Sequence, residues 1–584
     1  MKEILLLKEY RTLMIFSVLM CYVITFTSNL IGTYTNPFLS FLLPIFDCYL
    51  LCVLANILQK IRLGFLVSIL VVAVLFTELF TVFFYHSNFS IYVVLLIFET
   101  NRAESTEFIH AVLTHPGIWY TVVTTSLTGV VAWWLARLSR KPLQAGKVRY
   151  GRVLTFVAFA LIVWSGVRQL SAYYKLFRCF TSASTTVCND VHYIPHQNTP
   201  FIRLAYGAAY NMASATELNV LERSVAATTV DSCSYRCPLI VLVIGESYNK
   251  HHSPLYNPNY LPTTPLLMQQ RERGRLVVYK DAVAPFNFTS NAFKYMFSTW
   301  DETNSDEWTM HSLFPAVFKK AGYSVDFLTN QFAMAQTKDM WDFAGATIFN
   351  HHGLSDLQFT HRNPNIYKLD GELLDELPPV DSLTARPTLL IVHLRGQHVS
   401  YDKRYPKEFS RFTAGDEKTP FGGKAGRKMA AHYDNATLYD DYVVNTVFDR
   451  LKATDAIGIF LSDHGEEVYD WRNEFERTNE RTMTPEVAHY QYEIPLMFYM
   501  TDKFRLRHPD VAEAVVKAAD RPFISSDLCH LLFYLGGIGF ADYQEKRNIL
   551  SPRYDIGRKR IIDFEVDYDA LMKGFSERKT PENG

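Results

Sequence analysis

Asp463 and His464 stand side by side in FLSDHGEEVY (460–469), at the end of the apolar run DAIGIF (455–460). A short β-branched run of this kind suits a buried strand, and Gly465 lets the chain turn sharply behind the pair. A carboxylate and an imidazole are then presented together at the C-terminal edge of a strand, where open α/β sheets bind their ligands. PLIVLVIGES (238–247) repeats the plan, with a continuous apolar strand followed by Gly245 and Glu246. Two strand ends carrying oxygen and nitrogen donors point to a divalent metal, zinc above all. Either stretch alone equally suits a capped turn or a surface ion pair. NFTSNAFKYMFST (287–299) adds a nucleophile, with Thr289 and Ser290 just ahead of a helical pattern of Ala292, Phe293, Met296 and Phe297. A hydroxyl at that place can simply cap the helix. The same place also offers backbone N–H groups to a phosphate. A metal on Glu246, Asp463 and His464 leaves coordination open for substrate, and a Thr hydroxyl activated beside it is a reasonable phosphoryl acceptor.

These residues need a sheet to gather them. From 237 onward strands and helices alternate. The strand candidates are 238–244, 324–329, 388–394, 455–461 and 493–500; the helix candidates are 309–321, 428–453 and 524–536. The strands are apolar throughout rather than alternating, as expected when both sheet faces are covered. The fold expected for 237–584 is an α/β/α sandwich with a mostly parallel sheet. Its active edge collects Glu246, Asn330, His398 and the Asp463–His464 pair.

The first third of the 584 residues is different in kind. Five segments, near 12–32, 38–59, 63–85, 117–138 and 152–171, are long and apolar enough to cross a bilayer, which takes about 20 helical residues. They define an expected transmembrane domain over 1–172. Basic residues mark three of its faces: Lys2, Lys8 and Arg11; Lys60 and Arg62; and Arg137, Arg140, Lys141, Lys147, Arg149 and Arg152. The intervening loops are uncharged (32–38) or mostly acidic, with Glu99, Glu104 and Glu107 against Arg102. Positive charge stays inside, so the N-terminus is expected in the cytoplasm and everything after about 172 on the far side. Residues 173–236 read as a linker with one interfacial helix at 201–215. The 58 basic and 59 acidic residues nearly cancel, and nothing points to a nucleic-acid partner. Cys179 and Cys188, and Cys233 and Cys237, are close pairs that an oxidising compartment would allow to join.

Beyond single residues, a set of motifs runs in order along the chain: VIGES (243–247), LYNPNYLPTTP (255–265), FTSNAF (288–293), LTNQ (328–331), IVHLRGQH (391–398), RYP (404–406), YDNATLYDDYVV (433–444) and FLSDHGEEVYD (460–470), with IFETNRAESTEF (97–108) in the membrane part. With them the exported domain resembles the alkaline-phosphatase/sulfatase superfamily. The whole chain resembles the lipopolysaccharide phosphoethanolamine transferases of Gram-negative bacteria. That resemblance implies an inner-membrane enzyme, a monomer, with its catalytic domain in the periplasm. It implies zinc on Glu246, Thr289, Asp463 and His464, with Thr289 as nucleophile. His398, and less directly His489, would face the substrate or a second metal, and Asn330 could donate to a phosphoryl oxygen or hold its own turn. Glu99 and Glu104 would guide the ethanolamine headgroup or lie in a solvated connector. The implied reaction takes phosphoethanolamine from phosphatidylethanolamine onto zinc-bound Thr289, then onto lipid A, core sugar or another envelope glycan.

The chain departs from that pattern after Glu246-Ser247. Tyr248-Asn249 stands where many relatives carry Thr and a basic or polar residue, only His252 of the His251–His252 pair falls where some relatives have histidine, and Asn257-Pro258 replaces the usual Gly-Tyr turn. These changes bear on the acceptor pocket. No Cys or Ser followed by x-Pro-x-Arg lies around Thr289, which argues against a formylglycine sulfatase. A membrane-anchored phosphatase, phosphodiesterase or sulfatase-type hydrolase and a glycerol-phosphate transferase of the lipoteichoic acid type remain the enzymatic alternatives; a non-catalytic envelope module would need a degenerate ligand set.

Overall fold

Five apolar runs become five helices in the computed structural model, which describes residues 9–30, 42–85, 88–89, 116–139, 148–182, 198–301, 303–304, 306–332, 345–477 and 483–575. They are α1 (Arg11–Leu30), α2 (Pro44–Leu58), α3 (Gly64–Tyr85), α4 (Pro116–Leu138) and α5 (Val148–Ser182), each long and apolar enough to cross a membrane. α2 starts at Pro44, six residues later than the hydropathy suggests, because proline is placed best in a first helical turn. α5 runs past the expected end at 171, since neither Gly nor Pro interrupts 167–182. A sixth helix, α6 (Pro200–Ala227), is longer than the interfacial helix expected at 201–215.

The described chain folds as two compact units that divide inside α6, between Glu217 and Leu218. In the first unit, charged groups in apolar surroundings are paired, as burial requires. Arg203 of α6 bonds Glu78 of α3, with side chains 1% and 0% exposed, and Asn88 Nδ2 donates to the same carboxylate at 2.9 Å. Asp47 of α2 accepts the hydroxyls of Tyr173 and Thr199.

The second unit is built on seven strands: β1 (Leu239–Gly245), β2 (Leu276–Tyr279), β3 (Ser324–Thr329), β4 (His361–Arg362), β5 (Thr388–His393), β6 (Ala456–Ser462) and β7 (Leu496–Met500). Their order is β2-β7-β6-β1-β5-β3-β4. β6, β1, β5, β3 and β4 are parallel; β7 runs antiparallel to β6 and β2. All five strands expected from the sequence lie in this sheet. The two missed, β2 and β4, are short edge strands.

Both faces of β1 are covered. Ile240, Leu242 and Ile244 pack with Leu389, Ile391, Ile457, Ile459 and Leu461 on one side. Leu239, Val241 and Val243 pack on the other, with Val392, Phe460 and residues Val443, Val444 and Val447 of α8 (Gly423–Leu451). Each such side chain contributes roughly 1.5–3 kcal/mol when fully buried, so a sheet apolar on both faces holds its strand ends firmly. The helix expected at 309–321 is shorter, Phe314–Lys320, because Pro315 belongs in a first turn and ends any helix reaching it from upstream. The one expected at 524–536 forms from Leu528 to Gly536 behind a 3-10 turn.

Cys179 is disulfide-bonded, and Cys188 lies outside the described residues. Cys233 and Cys237 are free thiols, contrary to the pairing their spacing allowed. Cys233 sits in a two-residue strand opposite Ile538, its Sγ donating to the Gly536 carbonyl, while Cys237 is buried in the core.

Candidate metal centre and nucleophile

Adjacent parallel strands β1 and β6 end side by side, Gly245 opposite Ser462, so Glu246 and Asp463–His464 leave the sheet together. All three are fully buried, and one donor atom from each lies within 4.8 Å of the others. His464 Nε2 is 3.1 Å from Asp463 Oδ2 and 3.4 Å from Glu246 Oε1. The surrounding backbone fixes the opposite atoms of His464 and Asp463. His464 Nδ1 lies 2.9 Å from the Gly465 carbonyl, which can only accept, so the proton sits on Nδ1 and the Nε2 lone pair faces the cluster. Asp463 Oδ1 accepts the N–H groups of Ser247 and His464 at 3.2 and 2.8 Å; its Oδ2 finds no donor among the described residues.

Two glycines make this approach feasible. A Cβ on Gly465 would lie 2.3 Å from the Tyr490 carbonyl oxygen, and one on Gly396, at φ +46°, would lie 2.9 Å from that of Glu246. Ser247 takes φ +58° without being glycine, a conformation that costs energy and is kept where function needs it.

The nucleophile candidate closes the group. Thr289 is the first residue of α7 (Thr289–Phe297), and the preceding Phe288, not Thr289, occupies the cap position. The Thr289 hydroxyl donates to Glu246 Oε2 at 3.0 Å and lies 3.2 Å from His464 Nε2. It is thus aimed at the ligand cluster rather than spent on a cap.

The electrostatics match a cation site. Burial and the neighbouring Glu246 push the Asp463 carboxyl well above its ordinary range. For Glu246 burial acts upward too, but His464, His398 and Arg477 outweigh it and hold the group well below. Burial and Arg477 lower His464 and keep it neutral. Two carboxylate oxygens, an imidazole lone pair and a hydroxyl converge, one acceptor lacking any donor. That donor set suits zinc, and the residues fit the metal that the sequence implies.

The other expected residues fall in different places. His398 lies in the loop after β5, within electrostatic reach of Glu246, and burial drives its pKa down to about 3 despite that carboxylate. Asn330 is spent on its own turn, donating to Asp370 at 2.8 Å and accepting from the Tyr367 N–H at 2.6 Å. The neighbouring Gln331 instead donates to Glu246 Oε2 at 3.2 Å, a contact that the sequence reading missed. His489, on α9 (Pro485–Gln491), belongs to a separate cluster. Its ring lies 3.9 Å from that of His251, and its Nδ1 is 2.8 Å from Glu493. Lys250 and Tyr568 also bond Glu493. His393 is a core residue among Phe293, Phe327 and Phe332. Glu99 and Glu104 lie outside the described residues.

A further residue that the sequence reading missed is Arg477. It follows a hairpin in which Phe475–Glu476 pairs with Glu467–Val468, and this folds it back onto the cluster. Its Nη1 donates to Ser247 Oγ and lies 3.1 Å from His464 Nε2, 3.4 Å from Glu246 Oε1 and 3.5 Å from Glu466 Oε2. In sequence it sits in a charge-rich stretch that looks like a solvated surface, so no local signal marks it.

Comparison with known proteins agrees with the motifs. The family model described as Sulfatase matches residues 238–538, over half of the 584 residues. Phosphoethanolamine transferase EptC of Escherichia coli O18:K1:H7 is 29% identical over 348 residues, covering 57% of this chain and 58% of that protein. Phosphoethanolamine transferase CptA of Salmonella typhimurium is 28% identical with the same coverage. The match therefore spans less than two thirds of the length of these curated relatives. Among solved structures, the integral membrane protein lipooligosaccharide phosphoethanolamine transferase A of Neisseria meningitidis superposes with a TM-score of 0.57 at 20% identity, over 94% of this chain and 98% of that one. A membrane-helix bundle followed by an alkaline-phosphatase-like domain is thus the fold of both. The resemblance to phosphoethanolamine transferases holds, and the extent of the family match means that the chain belongs to the sulfatase family.

Proposed function

We propose that this chain is a membrane-anchored transferase that moves phosphoethanolamine from phosphatidylethanolamine to lipid A, core sugar or another envelope glycan at the periplasmic face of the inner membrane, acting as a monomer. The observation that carries this reading is the Thr289 hydroxyl in hydrogen-bond contact with both Glu246 and His464, at the N-terminus of a helix, in a chain with five helices able to cross a bilayer. Helix N-termini favour phosphate, and a membrane anchor raises the effective concentration of lipid substrates.

In this reading Glu246, Thr289, Asp463 and His464 hold zinc, which when bound would polarise the phosphoryl oxygens and acidify the threonine hydroxyl. Glu246 Oε2 accepts the hydroxyl hydrogen bond and orients the oxygen for attack. The Thr289 Oγ–P bond forms, the P–O bond to diacylglycerol breaks, and the hydroxyl proton ends on the diacylglycerol oxygen. A phosphoethanolamine–threonine ester results. An acceptor oxygen then attacks phosphorus, the Thr289 Oγ–P bond breaks, and the acceptor's proton restores the hydroxyl. His398 lies on the substrate side; Glu99 and Glu104 are assigned to guiding the headgroup, and 173–236 to linking anchor and catalytic domain.

Intact mass spectrometry after incubation with phosphatidylethanolamine and zinc tests this. A gain of one phosphoethanolamine group on Thr289, lost in Thr289→Ala while zinc is retained, is the expected result. Unchanged transfer in Thr289→Ala refutes the nucleophile, and turnover that needs no acceptor replaces the transferase by a hydrolase.

A further inference from the structure

Arg477 shares its contacts with the nucleophile. Its Nη1 and the Thr289 hydroxyl meet the same imidazole nitrogen, His464 Nε2, at 3.1 and 3.2 Å, and opposite oxygens of the same carboxylate, Glu246. Its guanidinium lies 5.8 Å from the ring centroid of Phe288, the residue just before Thr289. The side chain is 13% exposed, and among the described residues its buried Nε–H has no hydrogen-bond partner. An arginine held by carboxylates and hydroxyls alone would spend its whole donor fork on them. Here the Nε–H is left over, on an arginine whose Nη1 meets the same His464 nitrogen and the same Glu246 carboxylate as the Thr289 hydroxyl.

A phosphodiester on Thr289 brings a negative charge up to the buried carboxylates Glu246, Asp463 and Glu466. Without a fixed cation, those carboxylates oppose it. A planar guanidinium that offers several N–H groups in one plane is the side chain best matched to phosphoryl oxygens.

We propose that Arg477 is the phosphoryl-anchoring residue of this site: it holds a non-bridging oxygen of the group on Thr289 through its free donor, and steadies that group during attack. This rests on the transfer reading above, but it can be tested apart from it. The full-length protein in detergent, loaded with zinc, is compared with Arg477→Met and Arg477→Lys. Zinc content and melting temperature show whether the variants hold their site. Inorganic phosphate, followed by titration calorimetry, reads the anchor directly whatever the donor lipid is.

The expected result is phosphate affinity about 10-fold weaker in Arg477→Met, as for the loss of a charge-assisted hydrogen bond. Formation of the Thr289 adduct from short-chain phosphatidylethanolamine should slow about 100-fold, as when one preorganised oxyanion donor is removed. Arg477→Lys should recover part of both, and added guanidinium ion should restore phosphate binding to Arg477→Met, which a purely structural role would not permit. Phosphate affinity equal to that of the native protein in a zinc-replete Arg477→Met overturns the proposal, whether or not the adduct forms. An affinity loss rescued by guanidinium upholds it even if the native protein forms no adduct; that last outcome would sink the donor reading alone.

Discussion

Asp463→Asn should stabilise the metal-free protein and at the same time weaken its hold on zinc. Asp463 Oδ1 keeps two backbone N–H groups, a role an amide oxygen can take over. Oδ2, the unpartnered atom, would become an NH2 group 3.1 Å from the His464 Nε2 lone pair and would donate to it. The substitution also removes a carboxylate within 4.8 Å of Glu246. At that separation two like charges repel by about 3.5 kcal/mol at an effective dielectric of about 20. Arg477 already screens part of this, so a net gain of about 1–3 kcal/mol is expected, or about 2–5 °C in a domain of this size. The sign agrees with the titration: the Asp463 carboxyl lies above its ordinary value in the fold, so its ionised form opposes folding at neutral pH. With zinc the order reverses. A ligand that binds only the folded state adds RT ln(1 + [L]/Kd), and Asp463→Asn replaces a charged ligand atom by a donor. The assay is a thermal melt of both proteins in chelator and in excess zinc, with zinc content measured in parallel. A variant that melts below the native protein in chelator, yet gains as much from zinc, would refute both the repulsion and the ligand assignment.

Other perturbations probe the frame around the site. His252 is bonded at Nδ1 by Asp434 (2.6 Å) and at Nε2 by Asp470 (2.9 Å); burial works against its charge, but the two carboxylates raise its pKa well above 6.5. Its stabilisation is therefore fully present below pH 6.5 and falls away as pH rises through the folded value. Replacing it by Gln should cost about 3–5 kcal/mol and remove that pH dependence from denaturant melts; a flat native profile would contradict the charged clamp. Gly465→Ala places a methyl group 2.3 Å from the Tyr490 carbonyl and should cost about 2–4 kcal/mol while lowering zinc content. A native-like melt would mean that the turn has room the geometry denies.

The cluster of Glu246, Asp463 and His464 is legible because each of them follows an apolar strand that is recognisable without knowing its neighbours. β1 and β6 are buried on both faces, so their sequences carry no ionisable residue until the chain leaves the sheet, and the first ionisable residues there are Glu246, Asp463 and His464. Contacts made by loops were not legible in this way. Gln331 and Asn330 are adjacent just past β3, and nothing in LTNQ says that Gln331 faces Glu246 while Asn330 turns away to Asp370. Arg477 reaches the site only because a hairpin of two-residue strands reverses the chain, and such short strands leave no periodicity to read. The resemblance sets His489 beside His398 in role, yet His489 is held with His251 by Glu493, a pairing fixed by tertiary packing.

The same distinction explains how a cluster of buried charges can persist. For His464 and Asp463 the protein satisfies one atom with backbone: the Gly465 carbonyl for His464 Nδ1, and two N–H groups for Asp463 Oδ1. Ser462 Oγ, itself next to the ligands, donates to the His464 carbonyl at 2.9 Å and accepts the Tyr248 N–H at 3.1 Å. Tyr433, on α8, bonds the Ser247 carbonyl and the Asn249 N–H through its hydroxyl, each at 2.6 Å. These contacts orient the ligands before any metal arrives, as supporting shells do. The apolar sheet supplies the free energy that holds the strand ends in place, and the backbone supplies the orientation. The repulsion among Glu246, Asp463 and Glu466 is the remaining cost, and it falls when cations occupy the centre. A site built so is expected to be more stable loaded than empty, which would tie the protein's stability to a bound cation.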